Sequence, residues 1–224
     1  TYTSPSKYRN PIQWETSVTE AGNILSLGYM VSGKSWNDEN KEMFKNPYAQ
    51  FFKIQTDFRK TWQLTNKSQL IAHIGAGLIY SYGNSSSAPY NEQFYIGGAN
   101  SIRAFAARSI GPGSYYTDVQ RLSYVDQTGD MKLLANLEYR FNIFGNLYGA
   151  AFLDAGNIWA IKDDGYRAGS QFKFKNMFKE MAVGTGIGIR YDLDFFVLRL
   201  DWGVGLHLPY KNGFYNFDKF KDSQ

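Results

Sequence analysis

The stretch Phe195–Leu208, FFVLRLDWGVGLHL, decides the fold. Its even positions are Phe196, Leu198, Leu200, Trp202, Val204, Leu206 and Leu208. Its odd positions bring Arg199, Asp201, Gly203, Gly205 and His207 behind Phe195 and Val197. One face is wholly apolar and the other carries charge, glycine and imidazole. An alternation of period two is the signature of a β-strand, because successive side chains point to opposite faces. Fourteen residues exceed the usual 5–6 of a globular strand and suffice to cross a bilayer, which takes about 9–11.

The same pattern recurs outward from this stretch. In residues 131–143, Met131, Leu133, Leu137, Tyr139, Phe141 and Ile143 oppose Lys132, Asn136, Glu138 and Arg140. In 181–192, Val183, Ile187, Ile189 and Tyr191 oppose Gly184, Gly186, Gly188 and Arg190. In 49–62, Phe52, Ile54, Phe58 and Trp62 oppose Lys53, Asp57 and Arg59. Weaker alternation over 12–19, 23–32, 68–81 and 147–160 brings the expectation to eight strands. Tight turns are expected at 20–22, 63–67, 144–146 and 193–194, and long loops at 33–48, 82–129 and 161–180.

Composition agrees with an all-β chain. Among 224 residues there are 17 Tyr, 17 Phe and 22 Gly, while the mean hydropathy is −0.41. There is no cysteine, which excludes a disulfide scaffold and thiolate metal sites. No run reaches the about 18 apolar residues of a membrane helix. The first ten residues, TYTSPSKYRN, have no apolar core of a signal peptide, so the chain reads as cytosolic or as a mature piece of a longer protein. The net charge of +4 is interspersed with acidic residues, so a nucleic-acid partner is not expected.

Two architectures fit such strands. A soluble sandwich or lipocalin-like barrel would bury the apolar faces. A membrane barrel would turn them to lipid, with aromatic girdles such as Trp62, Tyr82, Trp159 and Tyr191 at the ends. Short turns alternating with long loops favour the second, an antiparallel transmembrane β-barrel. Closure would satisfy every backbone polar group in lipid. The inward charges would either pair into a packed polar core or line a wet lumen.

Within the longest loop lies YIGGANSIRAF, residues 95–105, with two glycines and an arginine. GGANSIRAF resembles the lumen-loop motif of the BamA/TamA superfamily of outer-membrane assembly factors, the bacterial surface-antigen family. Three further matches follow in order: LEYRF (137–141), FLDAGNIW (152–159) and GIGIRYDLDFFVLRLDWGVGL (186–206). PYNEQFYIGG and GPGSY are most similar to the Bacteroidetes TamA-like (TamL) branch.

The resemblance covers essentially the whole chain and implies a single barrel domain over 1–224. That domain is either the C-terminal half of a sixteen-stranded barrel or a self-closed eight-stranded one. Periplasmic domains, and a final strand ending in an aromatic after YNFDKFKDSQ, would lie outside this chain. The resemblance also implies a loop, 82–129, folded into the lumen. Its motif residues are Gly97, Gly98, Ser101, Ile102, Arg103, Ala104 and Phe105. The glycines would act as hinge and Arg103 as anchor on inward carboxylates. Glu138 and Asp154 share the inward parity on adjacent strands, and Phe152, Gly156 and Trp159 form the supporting strand motif. Ala104 stands where the family usually has glycine, so negative φ is expected there.

The implied function is assembly or translocation in the bacterial outer membrane, by strand-edge pairing with unfolded outer-membrane clients. The lipid bilayer is a partner, and a periplasm-spanning partner would be reached through domains outside this chain. A passive pore or transporter barrel is the alternative, and a membrane-barrel hydrolase a third reading. No catalytic constellation stands out, and no cofactor or metal is expected. His73 and His207 lie on separated strands, and Gly184–Gly188 lacks the Lys-Ser/Thr pair of a phosphate loop. Cross-strand ion pairing is the expected role of Arg199 and Asp201.

Overall fold

The computed structural model describes residues 1–5, 9–36, 38, 41–43, 46–116 and 127–210. The strands are β1 (Tyr2–Thr3), β2 (Ile12–Ala21), β3 (Glu42–Met43), β4 (Asn46–Pro47), β5 (Phe51–Thr65), β6 (Ser68–Ser81), β7 (Met131–Phe144), β8 (Leu147–Trp159), β9 (Ala182–Asp192) and β10 (Val197–His207). A helix, α1, spans Asn23–Val31, and a single 3-10 turn spans Phe174–Asn176. Eight strands form one antiparallel sheet in the order β1-β2-β5-β6-β7-β8-β9-β10, while β3 and β4 make a separate small hairpin. Apart from that hairpin, each strand pairs with its neighbours in sequence, so the sheet is an up-and-down meander. No pairing joins β10 to β1 or β2 among the described residues.

The expected strand at 23–32 is a helix instead. Ala21 at the end of β2 already pairs with Phe51 at the start of β5, which leaves everything between them as an excursion from the sheet. Gly22, at φ 82°, turns the chain out of the strand. Ser26 is then buried, bonded to the Tyr48 hydroxyl at 2.8 Å and to Gln50 Oε1 at 2.9 Å. Tyr29 stacks on Tyr48 at 6.4 Å. A short apolar run fits period 2 and period 3.6 alike, and these side-chain contacts select the helix. The eighth sheet strand is β1, only two residues long, paired with Gln13 and Trp14. Connections of two to four residues (66–67, 145–146, 193–196) alternate with long ones (22–50, 82–130, 160–181). Residues 215–224, where a last strand was expected to be missing, lie outside the described residues, as do residues 117–126 of the long loop.

The two faces of the sheet differ as the alternation requires. Ile74, Leu137, Leu153, Ile187 and Leu200 are exposed on one face. Trp62, Tyr191, Phe144 and Phe195 are exposed toward the short-turn rim, and Phe52 and Tyr80 toward the other. Two expected girdle residues do not belong to this band. Trp159 is 0% exposed, covered by the loop that follows β8. Tyr82 turns in and donates a 2.7 Å hydrogen bond to Asn23 Oδ1.

The other face, the inner one, is roofed by the 82–130 loop. Phe94, Ile96, Ile102 and Ile110 of the loop pack with inward Ile79, Leu134, Ile158 and Ala182 as the hydrophobic core. Phe94 and Gly129 exchange both backbone hydrogen bonds at 2.9 Å, which pins the loop's two ends together.

A charge placed mid-strand on the apolar face is expected to be costly. Leu137→Arg should destabilise the full-length protein in vesicles by about 2–4 kcal/mol, measured by urea unfolding, while Gln69→Arg on the inner face should cost far less. Equal costs would mean that the apolar face is not the one in lipid.

Candidate functional site

The site is built on a tongue of backbone, 96–108. Gly97 (φ 94°) and Gly98 (φ 88°) adopt the left-handed conformation that glycine allows at no steric cost. A side chain at Gly97 would run into the Ala106 carbonyl oxygen. Gly98 N–H donates to Phe105 O at 2.7 Å, and Arg108 N–H to Ile96 O at 2.9 Å. Inside this frame Ser101 N–H donates to Gly98 O at 3.0 Å and Phe105 N–H to Ile102 O at 3.1 Å, while Ser101 Oγ accepts from Gly97 N–H at 3.2 Å. Ile102, fully buried, points into the core. Arg103 therefore leaves the tongue in a fixed direction.

Its guanidinium meets two inward carboxylates. Arg103 Nε donates to Asp154 Oδ2 at 2.9 Å and Nη2 to Asp154 Oδ1 at 2.8 Å, the two-pronged geometry in which arginine binds a carboxylate best. The Arg103 backbone N–H adds a 3.0 Å bond to Oδ2, and Nη1 donates to Glu138 Oε2. The ring of Phe152 lies 3.6 Å below the guanidinium carbon, a cation–π contact. The sheet register explains why these groups meet. Asp154 is opposite Asn136, and Phe152 is opposite Glu138, so all four point inward from adjacent rows of β7 and β8.

The cluster extends across the inner face. Asn136 Nδ2 donates to Ser101 O at 2.7 Å and to Asp154 Oδ1 at 2.8 Å. Asn136 Oδ1 meets His73 Nδ1 at 2.9 Å, and His73 Nε2 meets Asp57 Oδ1 at 3.0 Å. On the far side Glu138 also pairs with Arg140 and, at 3.3 Å, with Arg190. Arg190 pairs across strands with Asp201 at 2.6 Å, and Arg199 donates to Ala99 O of the tongue at 2.8 Å. Taking charges out of water costs several kcal/mol per ion unless partners compensate. Here four arginines and three carboxylates (Glu138, Asp154, Asp201) share that burden.

The wall opposite the tongue is made of glycines, for a spatial reason. A Cβ on Gly184 would come within 2.5 Å of the Ala104 methyl, and one on Gly203 within 2.9 Å of Ala104 Cα. A Cβ on Gly205 would reach 2.7 Å from the Phe105 ring. On β8, Gly156 leaves Ile102 Cδ1 only 3.4 Å from where a Cβ would stand. Ala104 keeps a negative φ, since Arg108 and Asp194 are the non-glycine residues with positive φ among those described. Its methyl fills the notch at Gly184 instead.

Of the residues singled out from sequence, the tongue, Glu138, Asp154, Phe152 and Gly156 come together here. Trp159 does not, since its indole donates to Glu180 Oε2 at 2.7 Å on the opposite side of the sheet. Asn136 and the Arg199 contact with the tongue were not anticipated, although their inward parity was available as a signal. His73 and His207 are far apart in the hydrogen-bond pattern, the latter meeting Met181 O at 2.6 Å. Among the described residues no group of three or more potential ligands could hold a metal.

A sequence model described as the Omp85 superfamily domain matches residues 34–218. The chain belongs to the Omp85 superfamily. Among curated relatives, it is 23% identical over 180 residues to the outer membrane protein assembly factor BamA of Neisseria meningitidis. That match covers 76% of this chain and 21% of the relative, so the chain spans about a fifth of the protein it resembles. Among solved structures, BamA from Haemophilus ducreyi lacking POTRA domains 1–3 superposes with a TM-score of 0.56 at 16% identity, covering 96% of this chain and 51% of that one. This Omp85 chain therefore has the fold of part of a BamA barrel, and its place is the bacterial outer membrane. The apolar face of the sheet is its lipid face.

Removing Arg103 leaves Asp154 buried without a cationic partner among the described residues, while Glu138 keeps Arg140 and Arg190. Arg103→Ala is expected to cost about 3–5 kcal/mol in the full-length protein, read by urea unfolding. Arg103→Ala combined with Asp154→Ala should cost clearly less than the two single changes added together, the mark of direct coupling. Strict additivity would mean that the pair contributes nothing as a pair.

Proposed function

We propose that the protein containing this chain assembles or translocates other proteins at the outer membrane. The observation that carries the reading is the tongue held on the inner face by Arg103, Asp154 and Glu138. The tongue acts as an internal brace, so that strand pairing elsewhere in the barrel can open while this half of the wall keeps its shape. The barrel would offer strand edges to the unfolded strands of client outer-membrane proteins, by β-augmentation. No covalent chemistry is needed, and the protein is not an enzyme on this reading. The whole chain acts as one barrel portion. The bilayer is its first partner, and a periplasm-spanning partner is reached through domains outside it. The similarity of PYNEQFYIGG and GPGSY supports the TamA-like branch within the superfamily.

Gly97 and Gly98 serve in this reading as the hinge, and Ser101, Ile102, Ala104 and Phe105 as the seat that aims Arg103. Phe152 and Gly156 form the floor. The passive-pore alternative predicts an open channel past the tongue.

Arg103→Ala in the full-length protein is expected to reduce assembly of outer-membrane clients and slow growth far more than Lys60→Ala, at equal protein levels. Lys60 is a suitable control because it lies on the opposite face of the sheet and, among the described residues, donates to the Asn10 carbonyl alone. Indistinguishable, small effects would remove the brace reading. A steady open conductance of the unmutated protein in planar bilayers would favour the pore.

A further inference from the structure

Trp159 presents a contradiction that leads to a surface. By register it stands in one row with Leu78 and Met131, and that row faces lipid at Leu78. Yet Trp159 is fully buried. The segment 171–180 covers it from outside the sheet. Phe172 meets the indole edge-on at 5.5 Å, and Glu180 takes the indole N–H. Gln171 forms a bridge with Ala160, and Phe172 N–H donates to Ala160 O at 3.0 Å. The segment is thus held at both ends to the last residues of β8, by backbone pairing at Ala160 and by side chains on Trp159, at the rim that carries the long loops.

What the segment shows to its surroundings is unusual for a solvated loop. Phe174 and Phe178 are 76% and 79% exposed, four positions apart. Around them Lys173, Lys175 and Lys179 are exposed as well and form no ion pair among the described residues. The acid in the segment, Glu180, is buried and spent on Trp159. Exposed phenylalanines flanked by lysines suit the boundary between acyl chains and anionic headgroups. The segment also lies over the Trp159 end of the Leu78–Met131–Trp159 row, which is exposed at Leu78.

We propose that residues 172–179 are a membrane-surface anchor, with Phe174 and Phe178 inserted at the headgroup boundary and the three lysines bound to lipid phosphates of the outer leaflet. The anchor ties the outer rim of β8 and β9, the wall behind the tongue, to the bilayer surface.

The chain has no cysteine, and any cysteine elsewhere in the full-length protein is changed to serine before labelling. Phe178→Cys, carried by the full-length protein and labelled with a bimane fluorophore, is reconstituted in phosphatidylcholine vesicles with or without phosphatidylglycerol. A headgroup-level spin-labelled lipid is the quencher. Leu200→Cys on the lipid face and Ala99→Cys on the tongue are the high and low references. Quenching at Phe178 should approach that at Leu200, exceed that at Ala99 several-fold, and rise with phosphatidylglycerol. Changing Lys173, Lys175 and Lys179 to Gln should remove the rise, since each lysine near an anionic surface is worth roughly a five-fold gain in binding. Quenching no greater than at Ala99, or shielding that depends on protein concentration rather than on lipid, overturns the proposal. So does quenching indifferent to phosphatidylglycerol and to the lysines. Where labelling disturbs folding, hydrogen exchange of 172–179 in the unmutated protein decides: slowing with phosphatidylglycerol supports the anchor, and no change overturns it.

Discussion

A guanidinium cannot be buried without anions, and this constraint organises the inner face of the sheet. Arg103 carries its charge into a space shared with Ile102, Phe152 and the core. Asp154 receives three of its donors, and Glu138 the fourth. Those carboxylates in turn need further donors, which Asn136, Arg140 and Arg190 supply. The demand passes outward to Asp201, so that strands β7 to β10 contribute to one arrangement around one loop residue. Polar networks of this kind are costly when half-satisfied and specifying when complete. Here they fix where the loop sits.

Much of this was legible because a β-strand is a simple code. Parity alone put Leu200 and Arg199 on opposite faces, and it put Glu138 and Asp154 on the same one. What parity could not supply was depth. Trp159 has outward parity and looks like a lipid-facing aromatic, but a loop folds over it, and no local signal distinguishes a covered outward position from a bare one. The helix at Asn23–Val31 escaped for a related reason. Its alternation of small and apolar residues satisfies two periods, and the choice between them rests on Ser26 meeting Tyr48 and Gln50, residues more than twenty positions away.

Sequence motifs reached further than periodicity, for a physical reason. The tongue needs two left-handed residues, a buried aliphatic, a charged anchor and a small residue against a glycine wall, all within nine positions. Few sequences meet those demands together. The network partners are less visible, because Asn136 and Arg199 owe their roles to register between strands and to a loop far away in the chain.

The glycine wall also bears on the order in which the chain organises itself. Arg103 finds Glu138 and Asp154 at separations of 35 and 51 residues, whereas Arg199 reaches back 100 residues to Ala99. Closing longer loops costs more entropy, and such contacts are formed late. The β7–β8 hairpin can therefore capture the tongue before β9 and β10 exist as strands. Gly184, Gly203 and Gly205 then close over a loop already in place, with no side chain to push past it. If the contacts form in that order, the tongue is a mould on which the last hairpin is cast.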